Sequence, residues 1–351
     1  MLYDKISELK ERTANKLFSQ SSNPLLNLFN SDKCKEIDER AKNDPVIRSR
    51  RDEILQLLLK CDERVSKTYE TCFTLFNEIE VLDLLYQKDN SVQFVLKSKV
   101  NGIATPDYSK QCLSGNEINL ELKALSFKGS DINFRRIQSD IESMDEFNPQ
   151  WLYQSAFAST NEEFTANTRR DVIEQVSSRI TKHYQDRAIN QINFKNNSGI
   201  LLVDTVLIKE TLLLFLQDAL PAFLHDCYTS GCLWNAVFGE MGNLIFQCTR
   251  QSANIKHDPI PPGGQPLRRN GILLEADSLP AIIFIVRTAN NSSINLIGFS
   301  RSSLSQPDIL ECLNNFCDYQ NDENNSNKNE ISGDLRRYYL PSLEIRMDGF
   351  A

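Results

Sequence analysis

Two short strings place three ionisable residues where chemistry could occur: Pro106-Asp107 and, fourteen positions after that aspartate, Glu121-Leu122-Lys123. Paired carboxylates are hard oxygen donors of the kind that hold Mg²⁺ while leaving most of its waters in place. A metal bound there would polarise a phosphoryl oxygen and acidify a bound water. The lysine would orient that water or offset charge growing on the phosphorane. Together these residue types suit metal-assisted hydrolysis of a phosphodiester, with Asp107 and Glu121 as ligands of Mg²⁺ (Mn²⁺ substituting) and Lys123 as the residue that positions or activates water.

The elements that must position them follow from periodicity. Residues 91–100 and 101–111 read as two strands about an Asn101-Gly102 turn, the strongest short hairpin signal, and residues 118–127 read as a third strand. Side chains alternate on a strand, so Glu121 and Lys123 share a face with Asn119 while Leu120, Leu122 and Ala124 take the other. Ahead of the strands, residues 78–87 read as a short helix. Behind them, residues 168–192 read as a long amphipathic helix, and residues 199–208 (GILLVDTVLI) as a doubly covered central strand. The order is helix, three strands, helix, strand. It implies an α/β (α+β) fold, with a mixed central sheet flanked by helices.

This arrangement over residues 78–208 resembles the PD-(D/E)xK nuclease superfamily, the restriction-endonuclease-like fold. The resemblance implies a metal-dependent nuclease acting on DNA, with RNA as the alternative substrate. It also implies an accessory acidic metal contact at Glu78 and an orienting glutamine at Gln191, for which Gln175 competes. The helix of residues 168–192 carries Arg169, Arg170, Arg179, Lys182, His183 and Arg187 against Asp171, Glu174 and Asp186. The first four of its cations are the candidates for contacting a phosphate backbone. A competing reading from another class is a non-catalytic scaffold that uses the same platform, since fold does not fix function.

The flanks carry less chemistry. Residues 1–77 read as helices, Pro45 at the first turn of one of them behind an Asp44 cap. Residues 78–210 form the expected core and residues 211–351 an extension. In that extension residues 211–228 read as a helix, 233–238, 243–248, 272–275, 281–288 and 293–299 as strands, and 320–334 as a polar loop. The nine cysteines include no CxxC pair, which fits free thiols in a reducing compartment. The N-terminal residues lack the apolar core of a signal peptide and no window is apolar enough to span a bilayer, so the expectation is a cytoplasmic protein without a membrane partner. A homodimer is left open.

The net charge of −8 excludes a generally basic nucleic-acid binder. Its distribution is uneven, however. Residues 301–351 hold 9 acidic and 5 basic side chains, whereas residues 165–200 hold 6 basic and 3 acidic ones. The acidic average conceals a basic stretch beside the expected site.

Overall fold

Asn30, Asp38 and Asp44 fix where the first helices begin. In the computed structural model, which describes residues 1–14, 26, 28–60, 66–95, 104–125, 169–207, 222–225, 227–245, 264–287, 294–304 and 306–323, the chain divides into two compact units. One contains residues 1–87 and 126–165, the other residues 88–125 and 166–351.

The described part of the first unit is helical: α1 (Leu2–Ala14), α2 (Ser31–Arg40), α3 (Pro45–Lys60) and α4 (Ser66–Lys88). The starts of α1, α2 and α3 each have a carboxylate or amide acceptor for amides that have no helical partner. Asp38 takes Leu2 N at 2.9 Å and Tyr3 N at 3.0 Å. Asn30 takes Asp32 N and Lys33 N, and Asp44 takes Val46 N and Ile47 N just past Pro45, as expected from the sequence. Phe29, Phe73 and Phe76 form the aromatic centre of this unit, with ring centroids 4.8 to 6.3 Å apart. Residues 78–87, expected as a separate short helix, complete the much longer α4.

The second unit is built on a seven-stranded mixed sheet. β1 (Val92–Phe94), β2 (Tyr108–Gln111) and β3 (Glu117–Ala124) form an antiparallel meander, and β4 (Gly199–Asp204) lies parallel to β3. Two small hairpins, β5 (Ala222–His225) with β6 (Cys227–Ser230) and β7 (Leu244–Ile245) with β8 (Gln265–Pro266), stand apart from it. The main sheet continues through β9 (Ala281–Arg287), parallel to β4, then antiparallel β10 (Ile294–Ser300) and finally β11 (Tyr319–Asp322), parallel to β10. Every residue of β4 and β9 is buried. That is why both read as nearly continuous apolar runs rather than alternating ones.

Helices cover both faces. On the face shared by Glu121, Leu201 and Val203 lies α5 (Arg169–His183), which passes through a π-helical turn (Tyr184–Ala188) into α6 (Ile189–Ile192). Gly199 lets the end of α6 rest on β4: a Cβ there would lie 2.8 Å from Ile192 Cγ2 and 2.6 Å from the Asn119 carbonyl oxygen. α7 (Cys232–Phe238) packs beside α5, held by Ser177 Oγ donating to the Ala236 carbonyl at 2.9 Å, with the one-turn α8 (Ile272–Glu275) next to both. α9 (Pro307–Phe316) packs on the opposite face, where Gly298 makes room for Leu313 and Cys317.

Several expectations are corrected. Residues 222–225 and 227–230 pair as β5 and β6, not as part of a helix, because an aliphatic run alone does not distinguish the two and its aromatic and β-branched members favour strand. Residues 233–238 and 272–275 are helical, not extended. α7 is buried on all sides, so no amphipathic period was there to be read. Gln320 belongs to β11 instead of a loop. The Asn101-Gly102 turn and residues 211–221 lie outside the described residues. Among the described residues no helix is long and apolar enough to cross a membrane.

Candidate functional site

Asp107 stands immediately before β2. The β2–β3 pairing runs from Gln111 opposite Glu117 to Tyr108 opposite Leu120, and one further step of that register sets Asp107 opposite Glu121. Opposed residues in an antiparallel pair project to the same face. Both carboxylates and Lys123 therefore belong to the face on which α5 and α6 pack.

The local chemistry explains why the ladder stops there. Pro106 has no N–H to donate and cannot extend the pairing. On β3 the amides of Asn119 and Leu125 turn toward the β4 side, donating to the Ser198 and Asp204 carbonyls, so that of Leu122 turns toward β2. Asp107 Oδ2 accepts it at 2.9 Å. One carboxylate oxygen thus takes the place of a ladder carbonyl and fixes the orientation of the group.

Glu121 is 5% exposed, and Leu201 opposite it on β4, like Val203 opposite Lys123, is fully buried. Lys123 and Asp107 are half-buried. In such a poorly solvated setting charges interact more strongly than they would in water. Asn119, on the same face, donates to the Ile192 and Phe194 carbonyls at 2.8 and 2.9 Å and ties β3 to the end of α6. Gln191 reaches the site from α6: its Nε2 donates to the Thr105 carbonyl at 3.1 Å, two residues before Asp107. The donor set, two carboxylates opposed on one face with a lysine two positions along, fits a hard divalent cation.

The other expected residues have different surroundings. Glu78 is in α4 of the helical unit, buried, with Arg50 Nη2 3.1 Å from its Oε2, so the arginine already supplies a positive charge there. Arg169 is buried and donates to the Ser230 carbonyl at 2.7 Å. Arg170 lies 3.7 Å from Asp171 and 4.0 Å from Glu174. Lys182 is exposed, and Arg179 is half-buried, its basicity lowered by burial.

Two features escaped the sequence reading. His183 ends α5 close enough to Lys123 to feel its charge. Burial first, then the Lys123 ammonium and the Arg187 guanidinium, push the imidazole down to about 4 against the opposing pull of Asp186. Its Nε2 has no hydrogen-bond partner among the described residues. The signal was available in its spacing from Gln191, but only with knowledge of the π turn between them. The second feature, on the opposite face, gathers Cys112, Asp308 and Glu311 within 4.8 Å. Lys110 Nζ lies 2.6 Å from Glu311, and Asn116 Nδ2 donates to Asp308 at 2.8 Å, so both carboxylates are already engaged in a clasp between the β2–β3 turn and α9. No local sequence signal links residues about two hundred positions apart.

No protein-family model, curated protein or solved structure matches the chain.

Proposed function

We propose that the protein is a metal-dependent nuclease of the PD-(D/E)xK type that hydrolyses phosphodiester bonds in DNA. The observation that carries this reading is the β2–β3 register, whose continuation by one residue would bring Asp107 opposite Glu121, with Lys123 on the same face of β3. The surrounding order supports it: an antiparallel meander, then α5 and α6, then β4 parallel to β3.

Asp107 and Glu121 would hold Mg²⁺, or Mn²⁺ in its place. When bound, the ion would polarise the phosphoryl oxygen and lower the pKa of a coordinated water. The chain's own groups do the rest. Leu122 N–H fixes the Asp107 carboxylate, and Gln191 holds the Thr105-Pro106-Asp107 segment against α6. Lys123 orients the attacking water and stabilises the charge that grows on the phosphoryl oxygens. Attack of water on phosphorus breaks one P–O ester bond and leaves a phosphate monoester and a free hydroxyl.

The test is cleavage of plasmid, linear DNA and RNA by the purified chain in Mg²⁺ and in Mn²⁺. DNA should be cut, and both Lys123→Ala and Glu121→Gln should abolish cutting while thermal unfolding stays cooperative. Cleavage that survives both substitutions overturns the assignment.

A further inference from the structure

Five residues recur at intervals of four along the helix that covers the site: Gln175, Arg179, His183, Arg187 and Gln191. On an uninterrupted α-helix such a row winds slowly around the axis. His183 and Gln191 would then be separated by roughly 80°. The π turn at Tyr184–Ala188 changes this, because each π turn takes one residue more than an α turn and so cancels the drift. One electrostatic relation and one hydrogen bond agree with the realigned row. His183 is under the influence of the Lys123 charge, and Gln191 donates to the Thr105 carbonyl beside Asp107. Both ends of this stretch therefore flank the β2–β3 edge.

The row has the right chemistry for a polyanion. Arg187 is exposed and Arg179, His183, Gln175 and Gln191 are half-buried, giving two guanidiniums separated by a neutral imidazole and followed by an amide. Four residues advance an α-helix by about 6 Å, a step similar to that between successive phosphates of an extended strand. Asp186 is one position off the row, and its neighbours Lys182 and Asn190 share its exposed side of the helix. π turns inside α-helices occur frequently at functional sites.

We propose that this row is the substrate track: the phosphodiester backbone of a single strand lies along α5 and α6, pairing with Arg179 and Arg187 and bringing one phosphate beside Lys123. The proposal rests on the nuclease reading for the chemistry at Lys123, but not for the binding itself. It names Arg179 and Arg187, which lie on this row, as the main backbone contacts in place of Arg169 and Arg170, which lie off it.

The experiment is fluorescence anisotropy of labelled oligothymidylate and oligouridylate with the full chain in EDTA, so that no cleavage intervenes, across a range of salt concentrations. Arg187→Gln should weaken binding, and Arg179→Gln with Arg187→Gln should reduce the slope of log K against log[salt] by about 1.4, two single-strand phosphate contacts. Arg179→Lys, which keeps the charge, should bind nearly as the parent, and Lys42→Gln, an equal charge loss in the helical unit, should change nothing. A preference for one oligonucleotide tells DNA from RNA. Absence of binding at low salt, or an unchanged slope in the double variant, overturns the track even if DNA is cut. Normal track-dependent binding by a chain that cuts nothing would instead sink the nuclease reading and leave the track standing.

Discussion

Asp107 Oδ2 accepts the Leu122 amide at 2.9 Å, so one carboxylate sits where the β2–β3 ladder ends, one residue beyond the Tyr108–Leu120 pair. The structural and chemical roles of this residue can be separated by substitution. Asn keeps an acceptor for the Leu122 amide but removes the charge, whereas Ala removes both. Asp107→Ala should cost about 1–3 kcal/mol, the usual penalty for a poorly solvated donor left unmatched, and Asp107→Asn much less, as read from urea unfolding. Both should lower cleavage by on the order of 10²-fold or more, since even outer-shell partners of metal ligands are worth 10–100-fold. Retained activity in Asp107→Asn would remove this residue from the metal site.

Gly199 gives a test of how α6 is positioned. A Cβ would lie 2.6 Å from the Asn119 carbonyl oxygen and 2.9 Å from that of Ile192. Both are backbone atoms, which cannot rotate away. Gly199→Ala should therefore lift α6 from the sheet, destabilise the fold by about 1–3 kcal/mol and disturb the Gln191 contact to Thr105. Cleavage should fall more than the stability loss explains. A variant with unchanged thermal midpoint and activity would show that the contact is not needed.

How much of this was legible beforehand depended on distance in the chain. Asp107, Glu121 and Lys123 lie within seventeen positions, just ahead of β2 and on the adjacent β3, and alternation alone sets Glu121 and Lys123 on one face. β4 and β9 declared themselves by composition, because strands covered on both faces have few polar residues. α7 did not, since complete burial erased the period that would have marked it as a helix. His183 could not be assigned at all from a regular 3.6-residue repeat: the π turn shifts the phase of everything after it. The clasp of Lys110 with Glu311 was equally hidden, as it spans a crossover of the sheet.

A second buried pair holds the central strands at their far end. Arg287 Nη2 lies 2.9 Å and Nε 3.3 Å from the two oxygens of Asp204, which is fully buried and also accepts Val206 N at 2.8 Å. Removing one partner leaves a buried charge without its counter-ion, so Arg287→Met should cost about 3–5 kcal/mol. Adding Asp204→Asn should recover part of that loss, because the amide oxygen still serves Val206 without carrying charge. Urea midpoints of the two single variants and the double variant give the coupling. Simple additivity would show that the pair contributes no interaction of its own.

His183 makes the stability of the sheet unit depend on pH in a defined direction. Burial and the cations Lys123 and Arg187 bring its value down from the ordinary 6.5 to about 4. Between those limits the unfolded chain binds a proton that the folded chain refuses, so stability is lost as pH falls through this window and rises again toward neutrality. His183→Gln should flatten that part of the curve, measured as urea midpoints at several pH values. In the parent, the imidazole C–H resonances should titrate near pH 4, and Lys123→Met should move the midpoint upward by removing one of the opposing charges. A His183 that titrates near its ordinary value in the parent would mean that the imidazole stands in water, and the row along α5 would lose its link to Lys123.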